Sequence, residues 1–244
     1  MPAPRFFVPG ALSASHDTEL RLPMAAAHHA TRVVRLAAGD ALTLFDGTGG
    51  EYPAKMLRAD RDGTVVRVDA RVDVERETPL AVTLAQAIAA NDAMDYAIRK
   101  AVELGVAAIQ PLVAERSAPL PSGERGLRRL AHWRGIVVAA CEQCGRNRVP
   151  EVAPPARLGE WLRAWRGTGF VLAPDASAPL ASEPPPTAPV ALAIGPEGGF
   201  TEREIAAARA AGLTCVSLGP RVLRTETAAV AALAAMQALW GDLR

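Results

Sequence analysis

Ile194-Gly195-Pro196-Glu197-Gly198-Gly199-Phe200-Thr201 decides how the second half of this 244-residue chain folds. It leaves Val190–Ile194, a continuous apolar run of the kind that parallel sheets bury on both faces. It enters Thr201-Glu202-Arg203-Glu204, a capping box that opens a helix to about Ala211. The same grammar recurs downstream. Thr214–Leu218 reads as a strand, Gly219-Pro220 as its exit, and Thr225–Leu239 as a helix capped by Thr225. Upstream, Leu80–Ile88 and Val106–Val113 are strand-like and flank a helix over Asp92–Leu104, with Asn91 as cap and Gly105 as stop. Further helices cover Gly126–Gln143 and Leu158–Trp165, and Gly169–Ala173 is one more buried strand. Strands alternating with helices predict an α/β domain with a mostly parallel sheet. Pro174–Pro189, with six prolines in sixteen residues, reads as an exposed loop.

The first 72 residues differ. Arg5–Val8, Ala41–Phe45, Glu51–Leu57 and Thr64–Val68 are short β-like runs, punctuated by Asp46-Gly47-Thr48-Gly49-Gly50 and Asp62-Gly63. Asp-Gly between apolar runs signals a tight turn, and several short strands with close turns suggest a small barrel. A helical stretch near Ala25–Arg35 interrupts them, and the charged segment Arg71–Thr78 is the joint. The division is therefore 1–72 and 73–244.

Composition bounds the rest. Half of the residues are hydrophobic and 22% are charged, which excludes a disordered or fibrous chain. No apolar run reaches the roughly 20 residues of a membrane-spanning helix, and the N-terminus lacks a secretory apolar core, so a cytoplasmic protein without a membrane partner is expected. Net charge is +1, so no global basic field announces nucleic acid. Lys55 and Lys100 are the only lysines among 27 basic residues. Arginine suits bidentate phosphate recognition, although genomic base bias produces the same excess.

Cys141-Glu142-Gln143-Cys144 invites a zinc or redox reading. No second such pair follows, His16, His28, His29 and His132 are not suitably spaced, and the motif ends a helix instead of opening one. Two small thiols on a helix face explain it better. The string that continues it, Glu142-Gln143-Cys144-Gly145-Arg146-Asn147-Arg148, is either a solvated helix terminus or a functional cluster. In the Ile194–Thr201 turn, glycines at the carboxyl edge of a parallel sheet let a ligand approach backbone. A plain strand–helix turn also uses Gly and Pro, but Glu197 has no evident partner there. Glu226, in the first turn of the last helix, suits the helix dipole as well as chemistry.

Together, Glu142–Pro150, Ile194–Thr201 and Leu218–Ala228 resemble the RsmE family of SPOUT methyltransferases. Arg5–Val8, Phe45–Gly47, Lys100–Val106, Glu115–Ser117 and Trp240–Leu243 match in the same order along the chain. The resemblance implies a small PUA-like β-barrel that binds RNA, followed by a SPOUT-type domain with a trefoil-knotted, mostly parallel sheet that forms homodimers. It implies methylation at N3 of uridine 1498 in 16S rRNA of the small ribosomal subunit, with S-adenosylmethionine as donor and no metal. On the matching positions it implies cofactor contacts at Leu172, Gly195, Pro196, Glu197, Gly198, Leu218, Gly219, Leu223, Arg224 and Thr227. One segment departs from the family. Ala89-Ala90-Asn91-Asp92-Ala93-Met94-Asp95 lacks the usual basic residue, glycine and second basic residue.

The uracil N3 carries a proton that must leave, so a positioned base or charge stabiliser is expected, worth roughly 10²–10⁴-fold. Arg146, Arg224 and Glu226 are the expected catalytic residues, with Glu197 a further candidate. An RNA-binding assembly module without catalysis is the rival from another class, and it leaves the two glycine-bearing loops without a purpose. An oxidoreductase would need a dinucleotide fingerprint, which is missing.

Overall fold

The computed structural model describes residues 3–10, 12, 18–61, 63–119, 123–187 and 189–243. His16 and Asp62 lie outside the described residues. Two compact units form. The first comprises Met1–Glu77 together with Cys141–Val149, the second Thr78–Ala140 and Pro150–Arg244.

In the first unit, β1 (Arg5–Phe7), β2 (Thr18–Arg21), α1 (Met24–His28), β3 (Ala41–Phe45), β4 (Tyr52–Asp60) and β5 (Gly63–Val68) follow in chain order. The strands form one sheet in the order β1-β3-β4-β5-β2. Only the β1–β3 pair is parallel. Alternation decides which face is buried. Leu42 and Leu44 of β3, with Ala54 and Met56 of β4, point into a core shared with Phe6, Ala26 and Val66. β2 carries two charges in four residues, Glu19 and Arg21, and escaped the sequence reading for that reason.

The segment Cys141–Val149 is held inside this unit almost group by group. Phe7 N–H donates to Glu142 Oε1 at 3.0 Å, and Arg76 donates to the Gly145 carbonyl at 3.0 Å. Asn147 is wholly buried, donates to the Val74 carbonyl at 2.6 Å and accepts from Arg5. Arg148 meets Glu75 at 2.7 Å.

The second unit runs β6 (Val82–Ala87), α2 (Asn91–Glu103), β7 (Ala108–Val113), α3 (Gly123–Cys144, its last turn counted with the first unit), β8 (Glu151–Val152) and β9 (Ala156–Arg157). It continues with α4 (Leu158–Ala164), β10 (Thr168–Leu172), β11 (Val190–Ile194), α5 (Glu202–Ala210), β12 (Thr214–Val216) and α6 (Thr225–Trp240). The strand order is β12-β10-β11-β6-β7-β8, with β9 also on β7, and every pair is parallel. β11 is buried along its whole length, as its unbroken apolar run requires. Ala191 and Ala193 pack with Trp161 and Leu162 of α4 and Ala208 of α5, and α2 packs against α6.

Three local expectations change. Ala90, not Asn91, caps α2, and Asn91 is the first helical residue. Arg224 occupies the cap position of α6, because the Thr225 hydroxyl is used elsewhere. The proline-rich segment is more than an exposed loop. Leu180 is buried within it, and its backbone exchanges hydrogen bonds with Ser217 just beyond β12. The Thr201–Glu204 capping box forms in full.

Candidate functional site

The neighbouring strands β12, β10 and β11 send their carboxyl ends to one edge of the sheet, where open α/β folds bind ligands. A cavity of about 600 Å³ lies there, within the usual range of small-molecule sites. Four segments wall it: Leu172–Ala176 at the end of β10, Ile194–Phe200 after β11, Glu202, Ile205 and Arg209 of α5, and residues from Leu218 to Ala228 leading into α6. Of the positions expected to hold a cofactor, Leu172, Gly195, Pro196, Glu197, Gly198, Leu218, Gly219 and Leu223 all line this cavity.

Arg224 and Thr227 do not. They line an adjoining cleft of about 700 Å³ with Glu226, Ala90, Asp92, Ala93 and Tyr96. Glu197 and Thr225 border both spaces. Arg146 lines neither. It is buried in the first unit, where its Nε donates to Glu77 Oε1 at 3.0 Å and its Nη2 to Glu77 Oε2.

Local chemistry explains why the walls need these residues. A Cβ on Gly195 would stand 2.9 Å from the Phe200 nitrogen, so only glycine lets the loop fold back on itself. Gly219 has φ +76, a conformation that disfavours any side chain. Glu197 is not unpaired, as the sequence suggested; its Oε1 accepts the Ala90 N–H at 2.7 Å. Arg116 donates to the Gly198 carbonyl at 2.7 Å and fixes the turn from outside.

Sequence reasoning missed Asp175, Glu202, Arg209 and Arg221, which bring charge to the cavity wall. Asp175 sits in the stretch read as a mere loop, and Arg209 is on the last turn of α5. Glu202 and Arg221 lie inside strings already singled out, but as a helix-opening box and a strand exit, while Asp175 and Arg209 reach this edge only through the packing of β10 and α5.

In the remaining motif, burial pushes the Cys141 thiol up to about 12, so it stays protonated at neutral pH. Among the described residues no three His, Cys, Asp or Glu side chains gather as a metal site would require.

Comparison with known proteins adds a second line of argument. A model described as RNA methyltransferase domain matches residues 76–237, and one described as RNA methyltransferase PUA domain matches residues 22–69. The chain is 34% identical over 218 residues to ribosomal RNA small subunit methyltransferase E of Buchnera aphidicola subsp. Schizaphis graminum, covering 88% of this chain and 89% of that protein. Against the protein of the same name from Synechocystis sp., identity is 37%, covering 91% and 74%. Among solved structures, the Neisseria gonorrhoeae protein of that name, bound to S-adenosyl methionine, superposes with a TM-score of 0.92 at 38% identity, covering 99% and 100% of the two chains. A Legionella pneumophila protein in complex with the bound cofactor SAM superposes with a TM-score of 0.95 at 39% identity, over 100% of both chains.

Proposed function

This chain belongs to the ribosomal RNA small subunit methyltransferase E family, and from that premise we propose that it methylates N3 of a uridine in 16S rRNA, uridine 1498 in the family's numbering. S-adenosylmethionine supplies the methyl group when bound. The observation that carries the proposal is the joint cavity of the two glycine-bearing loops, Ile194–Phe200 and Leu218–Leu223. The residues fit that cofactor: Gly195 and Gly198 line the cavity, Leu172, Leu218 and Leu223 offer apolar contact, and Asp175 and Glu202 suit hydroxyl or ammonium groups.

The adjoining cleft takes the target base. Orienting the two reactants supplies most of what such a displacement needs from protein. Arg224 steadies the negative charge that develops on the uracil oxygen as the N3 proton leaves, and Glu226 receives that proton. Both line one cleft, and the N-terminus of a 16-residue helix there favours the negative charge that develops on the uracil. Thr227 and Arg224 complete the cofactor contacts from the cleft side. Arg146 is the third proposed catalytic residue, on the family resemblance of the Glu142–Pro150 string.

The first unit binds RNA, with 16S rRNA or the small subunit as partner, and the protein acts in the cytoplasm as a homodimer. No helix among the described residues is long and apolar enough to cross a membrane. Ala229, Leu233 and Met236 of the apolar stripe on α6 are buried within their own unit and the half-buried Trp240 stacks on Phe170, which leaves Leu239, 40% exposed, for a second copy. Light scattering tests this: a monomer mass across micromolar concentrations contradicts the dimer. The enzymatic reading is tested by calorimetry with S-adenosylmethionine. Binding is expected, and its absence in the folded protein removes the proposal.

A further inference from the structure

Gln86 is wholly buried near the end of β6. Its Nε2 donates to the Thr225 hydroxyl at 2.9 Å and to the Ala87 carbonyl at 3.0 Å. The Thr225 hydroxyl in turn donates to the Gly195 carbonyl at 2.5 Å. Three strand ends are thus joined by one chain of hydrogen bonds: β6 through Gln86, β11 through Gly195, and the segment beyond β12 through Thr225. Thr225 borders both the cavity and the cleft, and its oxygen is committed in both directions. Its one proton is therefore already donated within the protein.

The amide is an expensive way to fill a core position. Gln86 Oε1 is buried and has no hydrogen-bond partner among the described residues. An unsatisfied buried acceptor costs roughly 1–3 kcal/mol, which an apolar side chain of similar length would avoid. Such local violations concentrate where function requires them.

We infer that Gln86 is a positioning residue for methyl transfer: acting through Thr225, it fixes the Gly195 carbonyl in the cavity wall against Arg224 and Glu226 in the cleft. The inference rests on the methyl-transfer reading above. It adds a residue that touches neither the cavity nor the cleft. Because Arg224 and Glu226 are the immediate neighbours of Thr225, loosening the hydroxyl shifts both relative to the cofactor wall. Misplacement on the scale of an ångström costs on the order of 10²-fold in rate.

The test is a double-mutant cycle on the full-length protein, read as single-turnover methylation at saturating RNA and S-adenosylmethionine, with a thermal melt beside it. Gln86→Met and Thr225→Val should each lower the rate roughly tenfold or more. The double variant should be no slower than the slower single variant, because both changes cut the same relay. Thr225→Ser, which keeps the hydroxyl, should retain most of the rate. Multiplying losses in the double variant, a serine variant as slow as the valine one, or variants that melt lower yet turn over normally would each overturn the inference. Should Gln86→Met fail to fold, the Ser and Val pair still decides it, and a Thr225→Val rate equal to wild type defeats it. A wild-type protein that neither binds S-adenosylmethionine nor transfers methyl defeats the underlying reading instead, so the two failures are distinguishable.

Discussion

The Glu197 carboxylate accepts the Ala90 N–H at 2.7 Å, so the turn after β11 is clasped to the first residue of the path into α2. Both lie on the cleft, and Ala90 belongs to Ala89–Asp95, the segment that departs from the family's basic and glycine pattern. If Glu197 works as a clasp, Glu197→Gln keeps an acceptor oxygen and leaves S-adenosylmethionine affinity within about threefold, whereas Glu197→Ala weakens it by about fivefold or more. Calorimetry on both variants checks this. Equal losses would show that the charge, not the clasp, matters.

The glycines of the same turn differ in tolerance. At Gly195 a Cβ meets backbone, the Phe200 nitrogen at 2.9 Å, which cannot yield. At Gly198 it meets the Arg116 side chain at 3.2 Å, which can. Gly195→Ala is expected to lower both melting temperature and cofactor affinity. Gly198→Val should leave a folded protein with lowered affinity, since the added bulk displaces Arg116, which fixes the turn through the Gly198 carbonyl. Unchanged affinity in folded Gly198→Val would count against the cavity as the cofactor site.

Arg146 combines a structural and a proposed catalytic task. Removing it leaves the Glu77 carboxylate, whose side chain is only 22% exposed, without its two-pronged partner. Arg146→Ala is expected to lose about 3 kcal/mol of stability, visible as a lower melting temperature. Arg146→Lys keeps charge but not the fork, and should recover only part of it. In single-turnover assays at saturating RNA, Arg146→Ala should also be slow. A normal rate in the folded variant would confine Arg146 to its pair with Glu77.

Much of the second unit was legible because its code is local. The unbroken Val190–Ile194 run marks a strand buried on both faces, and the Thr201–Glu204 box forms as its spacing requires. What stayed hidden depends on distant partners. Thr225 reads as a helix cap, but its hydroxyl is claimed by Gly195, thirty residues earlier, and by Gln86, which resembles any polar residue in a strand. The Glu142–Arg148 string was recognisable as special. Its attachment to Glu75, Glu77 and Val74 was not, since these contacts span about seventy residues of sequence. Asp175 could not be separated from its proline-rich surroundings without knowing where β10 ends.

Acid should unfold the first unit by a route its carboxylates define. Burial pushes Asp46 up, but hydrogen bonds from Thr48 and Leu12 outweigh it and hold the carboxyl below its ordinary 3.8. Burial likewise opposes, and hydrogen bonds and arginine charge overcome, for Glu51 beside Arg5 and Arg76 and for Glu75 beside Gly50 N–H and Arg148, both held below 4.5. A depressed folded-state value means that stability is fully present above the ordinary carboxylate range and is lost as pH falls through the lowered values. Melting temperature should therefore be flat in this respect near neutrality and drop below about pH 4. Asp46→Asn should flatten part of that acid limb. An unchanged slope would remove Asp46 from the account.

Methyl transfer to one atom of one nucleotide is the most direct test of the whole account. The purified protein, supplied with labelled S-adenosylmethionine and small ribosomal subunits or 16S rRNA from a strain lacking this enzyme, should deposit label at a single uridine, recovered after digestion as N3-methyluridine. Arg224→Ala and Glu226→Gln should depress that transfer while cofactor binding persists. Label recovered on another atom or another base, or binding of the cofactor with no transfer to either RNA substrate, would contradict it.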